Sequence, residues 1–317
     1  MDTNTLISII ITTKNRYELL IDELDLLSKQ TYKNFKVYIV DDNSDDKTRG
    51  INLEKYKSIF PIEIIHNTET LNMIRSRNKG LEMADKNSDY FMILDDDNQF
   101  EDDFLEKFNQ FVNKYSDFGL IEPKNYHRDK KSILYFGCHY NLSNLFPHFG
   151  KNEFKGDYLI VDVVANCFLI NKELFEKIGS FDEKYIIDFS ESEYAYRAKA
   201  CGFKTCVANI PIYHQATTGK EKFEMFTKRV ETRPETYFYT FRNKYVFVNE
   251  FGSAWNKFCF FTFYQFITLL GYIYISMRVR SFKLLKLYLS GFLAGNTYIF
   301  TKKLLKFKTS NKRRKNG

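Results

Sequence analysis

Glycine and proline are scarce, 14 and 5 among 317 residues, so low-complexity linkers are a minor part of the chain at most. With 44% apolar and 27% charged residues the composition is globular, which excludes a disordered or fibrous protein. The five cysteines, Cys138, Cys167, Cys201, Cys206 and Cys259, form no C-x-x-C pair. An odd number without that spacing argues against a disulfide framework and against structural zinc. Met1–Thr5 puts no basic region ahead of the first short apolar run, so no signal peptide is expected and reduced thiols place the body in the cytoplasm. No G-x-G-x-x-G follows a strand and no G-x-x-x-x-G-K-[ST] occurs, which removes the main support for dinucleotide redox chemistry and P-loop ATP hydrolysis. The absence of G-x-S-x-G leaves an α/β-hydrolase unsupported.

Acidic residues are missing from one end. None follows Glu250, whereas 13 of the 47 Lys and Arg residues do. The first 250 residues therefore carry 34 basic against 40 acidic side chains, and the remaining 67 carry a charge of +13. A mildly acidic body, 1–250, and a basic, aromatic tail, 251–317, are expected to do different work.

Within the body, apolar runs alternate with helical patterns. Leu6–Ile11, Phe35–Val40, Ile62–Ile65 and Tyr90–Leu94 read as buried strands. Helices are predicted at Asn15–Lys29, with Asn15 as N-cap, and at Asp45–Lys57 and Asn72–Ala84. Later helices fit Lys172–Ile178 and Ser190–Gly202, with a closing strand at Lys204–Asn209 and an irregular, pocket-lining region at Lys124–Val164. This order predicts an α/β fold: a mostly parallel central sheet with helices on both faces, binding its ligand beyond the carboxyl ends of the strands. Polar clusters fall at three such ends, Thr12–Asn15, Asp41–Ser44 and Asp95–Asn98.

Three adjacent carboxylates, Asp95, Asp96 and Asp97, repel one another, and a bound cation relieves that cost. The plainer reading is an Asp-rich turn that satisfies loop backbone. Asp41–Asp46 is no calcium loop: an EF-hand needs Gly and Glu where this chain has Asp46 and Asn52. Helix capping by Asp45 or Ser44 is expected there instead, whether or not Asp42 meets a ligand.

SIIITTKNR (Ser8–Arg16), VDDNSDD (Val40–Asp46), RSRNKGL (Arg75–Leu81) and LDDDN (Leu94–Asn98) resemble, in order, the signature of the family-2 glycosyltransferases. ANCFLINKELFEKIGSFDEKY (Ala165–Tyr185), SESEYAYR (Ser190–Arg197) and YHQ (Tyr213–Gln215) extend the resemblance over about residues 6–250, and the chain resembles rhamnosyltransferase-like enzymes of bacterial surface polysaccharide synthesis. It implies a GT-A fold, a nucleotide-sugar donor and Mn²⁺ or Mg²⁺. By position, Thr12 and Asp42 match residues that hold the nucleoside, and Arg77 one near the donor phosphates. Asp95 and Asp97 match the ends of the DXD metal motif, with Asp96 beside ribose or metal. His214 matches a histidine that completes the metal site in some relatives; a satisfied core histidine is the other reading.

The chain departs from the family at the catalytic base, where Glu191 stands in the place of the usual Asp. Glu191, Glu193 and Asp188 are the candidates, and helix-dipole placement is the plain role for Glu191. One carboxylate within reach of an acceptor hydroxyl suffices for in-line, inverting transfer. The expected activity is non-processive transfer of a sugar to a glycan acceptor, lipid-linked in this reading. Processive synthases carry Q-x-x-R-W, and the single tryptophan here, Trp255, lies in SAWNK. A nucleotidyl- or phosphosugar transferase on the same fold and an inert scaffold subunit are the rivals.

In the tail, Phe258–Met277 holds twenty residues without a charge, enough to span a bilayer by length. Its tyrosines prefer an interface, and one crossing would place the following basic residues opposite a cytoplasmic body. Leu287–Phe300 is a shorter uncharged run. Helices lying on the cytoplasmic face of the inner membrane, with Lys and Arg on anionic headgroups, are therefore expected, in a peripheral or monotopic arrangement. A buried helical subdomain or a homo-oligomer contact is the alternative. Nucleic acid is not an expected partner, since the basic residues flank apolar runs and form no groove-reading motif.

Overall fold

A computed structural model describes residues 4–128, 132–150, 153–214, 230, 232–278, 281–303 and 305. Gln215 of the YHQ string and all the basic residues after Lys303 lie outside the described residues.

The first half runs β1 (Ile7–Thr13), α1 (Tyr17–Ser28), β2 (Phe35–Asp41), α2 (Glu54–Lys57), β3 (Ile62–His66), α3 (Met73–Met83), β4 (Tyr90–Asp95), β5 (Asn98–Gln99) and α4 (Phe104–Lys114). It continues through β6 (Phe118–His127), β7 (Ile133–Asn141), β8 (Phe146–Gly150), β9 (Tyr158–Ile160), β10 (Phe168–Asn171), α5 (Lys172–Ile178), α6 (Ser190–Ala200) and β11 (Lys204–His214). The strands join one sheet in the order β3-β2-β1-β4-β10-β6-β11-β5. The β3-β2-β1-β4 part is parallel, as the alternation predicts. β10 then pairs antiparallel with both β4 and β6, so the whole sheet is mixed.

Alternate side chains feed two cores. Ile9, Ile11, Val37 and Ile39 pack with Leu20, Leu24 and Leu27 of α1 and the phenylalanines of α4. Ile10, Tyr38 and Ile93 pack on the opposite face with Ile74, Leu81, Leu174 and Tyr194. Each fully buried aliphatic or aromatic side chain contributes roughly 1.5–3 kcal/mol by leaving water.

Register does the positioning. Thr12 lies opposite Asp95 on one side, Thr13 opposite Asp41 on the other, and Asp41 opposite His66. Three polar strand ends are thereby brought to one level. β11 parallels β6, and its last residue, His214, pairs with Asn98, directly after the three aspartates.

Local expectations need two corrections. Asn15 does not cap α1; it holds a left-handed φ of 54°, and Arg16 takes the N-cap position without a side-chain cap. Asn15 instead ties two loops, giving its backbone N–H to Ser44 Oγ (2.9 Å) and accepting from the Asp45 N–H (2.8 Å). The stretch 45–57 is not one helix but a 3₁₀ turn at Lys47–Gly50 followed by α2, and Asp46, rather than Asp45 or Ser44, caps it by accepting from the Thr48 N–H.

By compactness the chain divides into two units: residues 1–140, 147–186 and 190–217, and residues 141–146, 187–189 and 218–317. The second contains α7 (Pro234–Phe251), α8 (Ala254–Cys259), a π-helical turn (Phe260–Tyr264), α9 (Gln265–Arg278) and α10 (Lys283–Thr301). Gly291 and Gly295 let α10 sit against α7: a Cβ added at either would stand 2.6–2.7 Å from Cβ of Phe241 or Tyr245. Gln265 of α9 bonds the hydroxyls of Tyr245 and Tyr288, locking α9 to both neighbours.

In the first unit, Gly80 brings α3 onto β1, where an added Cβ would clash with Ile10. Gly80→Ala is expected to lower stability by about 1–3 kcal/mol through overpacking, despite alanine's better helix propensity. Urea denaturation checks this; an unchanged midpoint would refute the close approach.

Candidate active site

The parallel strand ends open into a cavity of about 430 Å³ lined by Thr12, Thr13, Lys14, Arg16, Asp42, Met73, Ser76, Asp95, Asp96, Asp97 and His214. α3 supplies its other wall, with the Asp42 carboxylate pinning the start of that helix. Asp42 accepts from the backbone N–H groups of Leu71 (2.7 Å) and Asn72 (3.1 Å) and from the Asn67 and Ser76 side chains. Asn72, at φ 80°, then caps α3 through its side chain. Behind Asp42, buried Asp41 accepts from Ser44 and pairs with His66 Nδ1 at 2.7 Å.

The three aspartates have different partners. Asp95 bonds Arg77 at 2.9 Å, and the other arm of Arg77 holds Glu191 at the start of α6. Arg77 is only 2% exposed, so a buried guanidinium joins Asp95 to Glu191. Asp96, buried, accepts from the Thr13 hydroxyl at 2.7 Å and from Arg16. Asp97 takes the second arm of Arg16 at 2.9 Å. Its remaining oxygen stands 3.3 Å from His214 Nδ1, and these two buried atoms have no hydrogen-bond partner.

Charge follows these contacts. Burial and the neighbouring Asp97 and Glu191 raise the Asp95 carboxyl despite Arg77. Burial lifts Asp96 to about 6, against Thr13 and Arg16. Burial acts the same way on Asp97, but His214 and Arg16 outweigh it and hold this group down at about 2. At Glu191 burial is overcome by Arg77 and the Ser190 hydroxyl, so the carboxyl lies below its ordinary value. The cluster of four carboxylates thus faces two guanidiniums and the imidazole of His214.

Thr12, Asp42, Arg77, Asp95, Asp96, Asp97, Glu191 and His214 are brought together around this cavity or joined to it through Arg77. Glu193 turns elsewhere: its carboxylate is gripped by Arg197 at 2.6 and 3.1 Å, and Arg197 also donates to the Ile178 and Ser180 carbonyls. Asp188 belongs to the second compact unit, at φ 65°, where its carbonyl accepts from Asn243. Sequence reading assigned no role to Arg16, Asn98 or Asn166. Asn98 donates to the Asp95 carbonyl, and Asn166 donates to Asn98 and Asn125, each at 2.9 Å. Asn125 in turn bonds Glu122, fixing the turn that carries the aspartates. The signal was faint: Asn98 and Asn166 sit inside the quoted strings, but nothing local says that they meet.

Among the described residues, no group of three or more His, Cys, Asp or Glu side chains is arranged as a complete metal site. Among the described residues, Asp97 Oδ1 and His214 Nδ1 line the cavity and face each other at 3.3 Å without a hydrogen bond, so these are donor atoms a cation could take. Two protein donors suffice for an ion of the Mg²⁺ type, which commonly takes its other ligands from water and substrate phosphates.

The profile of glycosyl transferase family 2 matches residues 8–179, more than half of the chain. The chain belongs to glycosyl transferase family 2. Amylovoran biosynthesis glycosyltransferase AmsB of Erwinia amylovora is 29% identical over 225 residues, 66% of this chain and 70% of that one. dTDP-rhamnosyl transferase RfbF of Shigella flexneri is 21% identical over 189 residues, 53% of this chain and 63% of RfbF. The structure of GalNAc-T7 with UDP, GalNAc and Mn²⁺ superposes with a TM-score of 0.56 at 16% identity, over 75% of this chain and 50% of that one. The fold of this family member is accordingly the expected GT-A fold, with a C-terminal helical region.

The Glu122 carboxyl, buried with Oε2 unpartnered, is held well above its ordinary value by burial. A carboxyl neutral in the folded chain and ionised in the unfolded one stabilises below the unfolded pKa and loses that contribution as pH rises. Glu122→Gln is expected to remove this dependence, so that wild type loses up to ~1.4 kcal/mol per pH unit relative to the variant above pH ~5. Urea denaturation of both proteins between pH 5 and 8 measures it, and parallel curves would show that Glu122 is ionised in the fold.

Proposed function

We propose that the protein is a non-processive, inverting, metal-dependent glycosyltransferase that moves a sugar from a nucleotide-sugar donor to a lipid-linked glycan in bacterial surface polysaccharide synthesis. The observation that carries this reading is the meeting of Asp95, Asp96, Asp97 and His214 with an arginine-held Glu191 at the ends of the parallel strands. AmsB, an amylovoran biosynthesis glycosyltransferase, supports the pathway, and RfbF, a dTDP-rhamnosyl transferase, together with UDP and Mn²⁺ in the GalNAc-T7 structure, supports the class of donor.

Thr12 and Asp42 take the nucleoside end of the cavity in this scheme. Asp97 and His214 would hold the divalent ion, Mn²⁺ or Mg²⁺, whose chemistry when bound is to neutralise charge on the departing diphosphate. Glu191, kept ionised by Arg77, accepts the proton of the acceptor hydroxyl. Attack on the face opposite the diphosphate inverts the anomeric centre and needs no second carboxylate at the reacting carbon.

A thermal-shift screen of nucleotide sugars with Mn²⁺ identifies the donor, because native-state ligands raise the melting temperature. With it, nucleoside diphosphate release is expected to fall on the order of 100-fold or more in Asp97→Ala and Glu191→Ala. Release of pyrophosphate or nucleoside monophosphate would favour the nucleotidyl- or phosphosugar transferase, and no turnover in any variant the scaffold.

The domain reading, catalytic 1–250 and membrane-associated 251–317, carries into the proposal. The helical segment Ala254–Arg278 is long and apolar enough to cross a membrane, with 6% of its most apolar window buried. Phe263, Ile267, Leu270, Tyr274 and Met277 are exposed at spacings of four and three, one helix face. Gln265 and Gly291 hold α9 and α10 against α7, whose buried Arg242 and Asn243 suit an aqueous boundary better than lipid. We infer a face that lies in the cytoplasmic leaflet rather than spanning it, with anionic headgroups meeting the tail's basic residues. Vesicles with anionic lipid should bind the protein in low salt and neutral ones much less, and Phe263→Asp with Ile267→Asp should release it. Self-association without vesicle binding would point to a homo-oligomer contact instead.

A further inference from the structure

The two arginines of the carboxylate cluster are not equivalent. Arg77 is sealed in, 2% exposed, with its arms on Asp95 and Glu191. Arg16 is 42% exposed and reaches in from the solvent side of the same cavity to fork across Asp96 and Asp97. Its backbone is anchored through Asn15, which bonds Ser44 and Asp45, whereas among the described residues its long side chain is hydrogen-bonded by those two carboxylates alone. The second oxygen of Asp97 and Nδ1 of His214 remain without hydrogen-bond partners beside it.

Arg16 therefore contacts the same carboxylate that is one of the two donors for a cation. A divalent ion between Asp97 and His214 would repel a guanidinium on Asp97. Loss of the Asp96 and Asp97 contacts would leave Arg16 at the cavity wall, unpaired and within a site meant for a diphosphate. A planar guanidinium suits two phosphate oxygens as well as it suits two carboxylates.

Resting on the metal and donor reading above, we propose that Arg16 is an exchangeable cation: it neutralises Asp96 and Asp97 while the site lacks metal, and on loading transfers its two-armed contact to the donor diphosphate. The residue opposes metal binding to the donor-free protein and favours nucleotide binding to the metal-loaded one. A merely structural ion pair has no reason to act in opposite directions on the two ligands.

The test uses the full chain and measures binding alone. Mn²⁺ is titrated by calorimetry into wild type, Arg16→Gln and Arg16→Lys; UDP, dTDP and GDP are then titrated separately with Mn²⁺ saturating. Arg16→Gln is expected to bind Mn²⁺ alone about 3-fold or more tightly, the gain from removing an ion pair that is partly solvent-exposed. The same variant should bind the preferred nucleoside diphosphate about 10-fold or more weakly, the loss of a charged hydrogen-bond pair. Arg16→Lys, a point charge able to satisfy one carboxylate, should fall between. Unchanged or weaker Mn²⁺ binding in Arg16→Gln, or unchanged nucleotide binding, would overturn the exchange and leave the donor reading standing. A wild-type protein that binds neither Mn²⁺ nor any of the three nucleotides would overturn both. Equal thermal stability of the three proteins in the absence of ligand excludes misfolding as the cause of either change.

Discussion

The interaction on which the site depends is the buried fork of Arg77. A guanidinium out of water is stable only if carboxylates meet it, and carboxylates packed this closely are stable only if a cation divides them. Arg77 is delivered by α3, Asp95 by β4, the next element, and Glu191 by α6, 114 residues beyond Arg77, so one planar group binds a local pair of elements to a distant one. Removing one partner of such an array leaves an uncompensated charge, typically at a cost of about 3–5 kcal/mol. On the proposed reading, stability and catalytic geometry share this contact, which gives a reason for a buried ionic group where an apolar core would be easier to build.

Much of this frame was legible along the chain. Four strands, Ile7–Thr13, Phe35–Asp41, Ile62–His66 and Tyr90–Asp95, fall within two residues of the apolar runs; strands buried on both faces, as all but the edge strand Ile62–His66 are, need mostly hydrophobic sequence. The ligand-facing clusters were legible for a related reason: polar residues right after such runs must lie at the sheet's carboxyl edge. The antiparallel insertion of β10 between β4 and β6 was not, since pairing direction depends on where a connection returns and leaves no periodic mark. Nor was the chain from Glu122 through Asn125 and Asn166 to Asn98, whose links span up to 68 residues. Asparagines of this kind look like turn residues until tertiary structure supplies their partners.

The second unit illustrates a different limit. Hydropathy marked the run Phe258–Met277 but could not distinguish a crossing helix from one with a single exposed stripe. Small and polar residues within apolar helices add what hydropathy omits, namely which side of each helix faces protein. Gly291 and Gly295 permit a close crossing, and Gln265 needs its two tyrosine partners. A glutamine tied sideways to two tyrosines marks the side of α9 that faces protein, in a crossing helix as much as in one lying at the surface.

The resemblance to the family leads one to expect aspartate where this chain has Glu191, and the geometry offers a reason for glutamate there. Arg77 is fixed on Asp95, so whatever group begins α6 must reach a guanidinium whose position is already set. A glutamate spans one methylene more than aspartate and makes that reach, while Ser190 steadies its other oxygen at 2.6 Å. A longer side chain ordinarily loosens a base, since each added rotor must be frozen for the reaction. Here both carboxylate oxygens are already engaged in the resting protein, so that freedom is lost on folding rather than on substrate binding. The departure from the family residue is in this sense compensated by the arginine behind it: position 191 tolerates glutamate because Arg77 defines where its carboxylate ends.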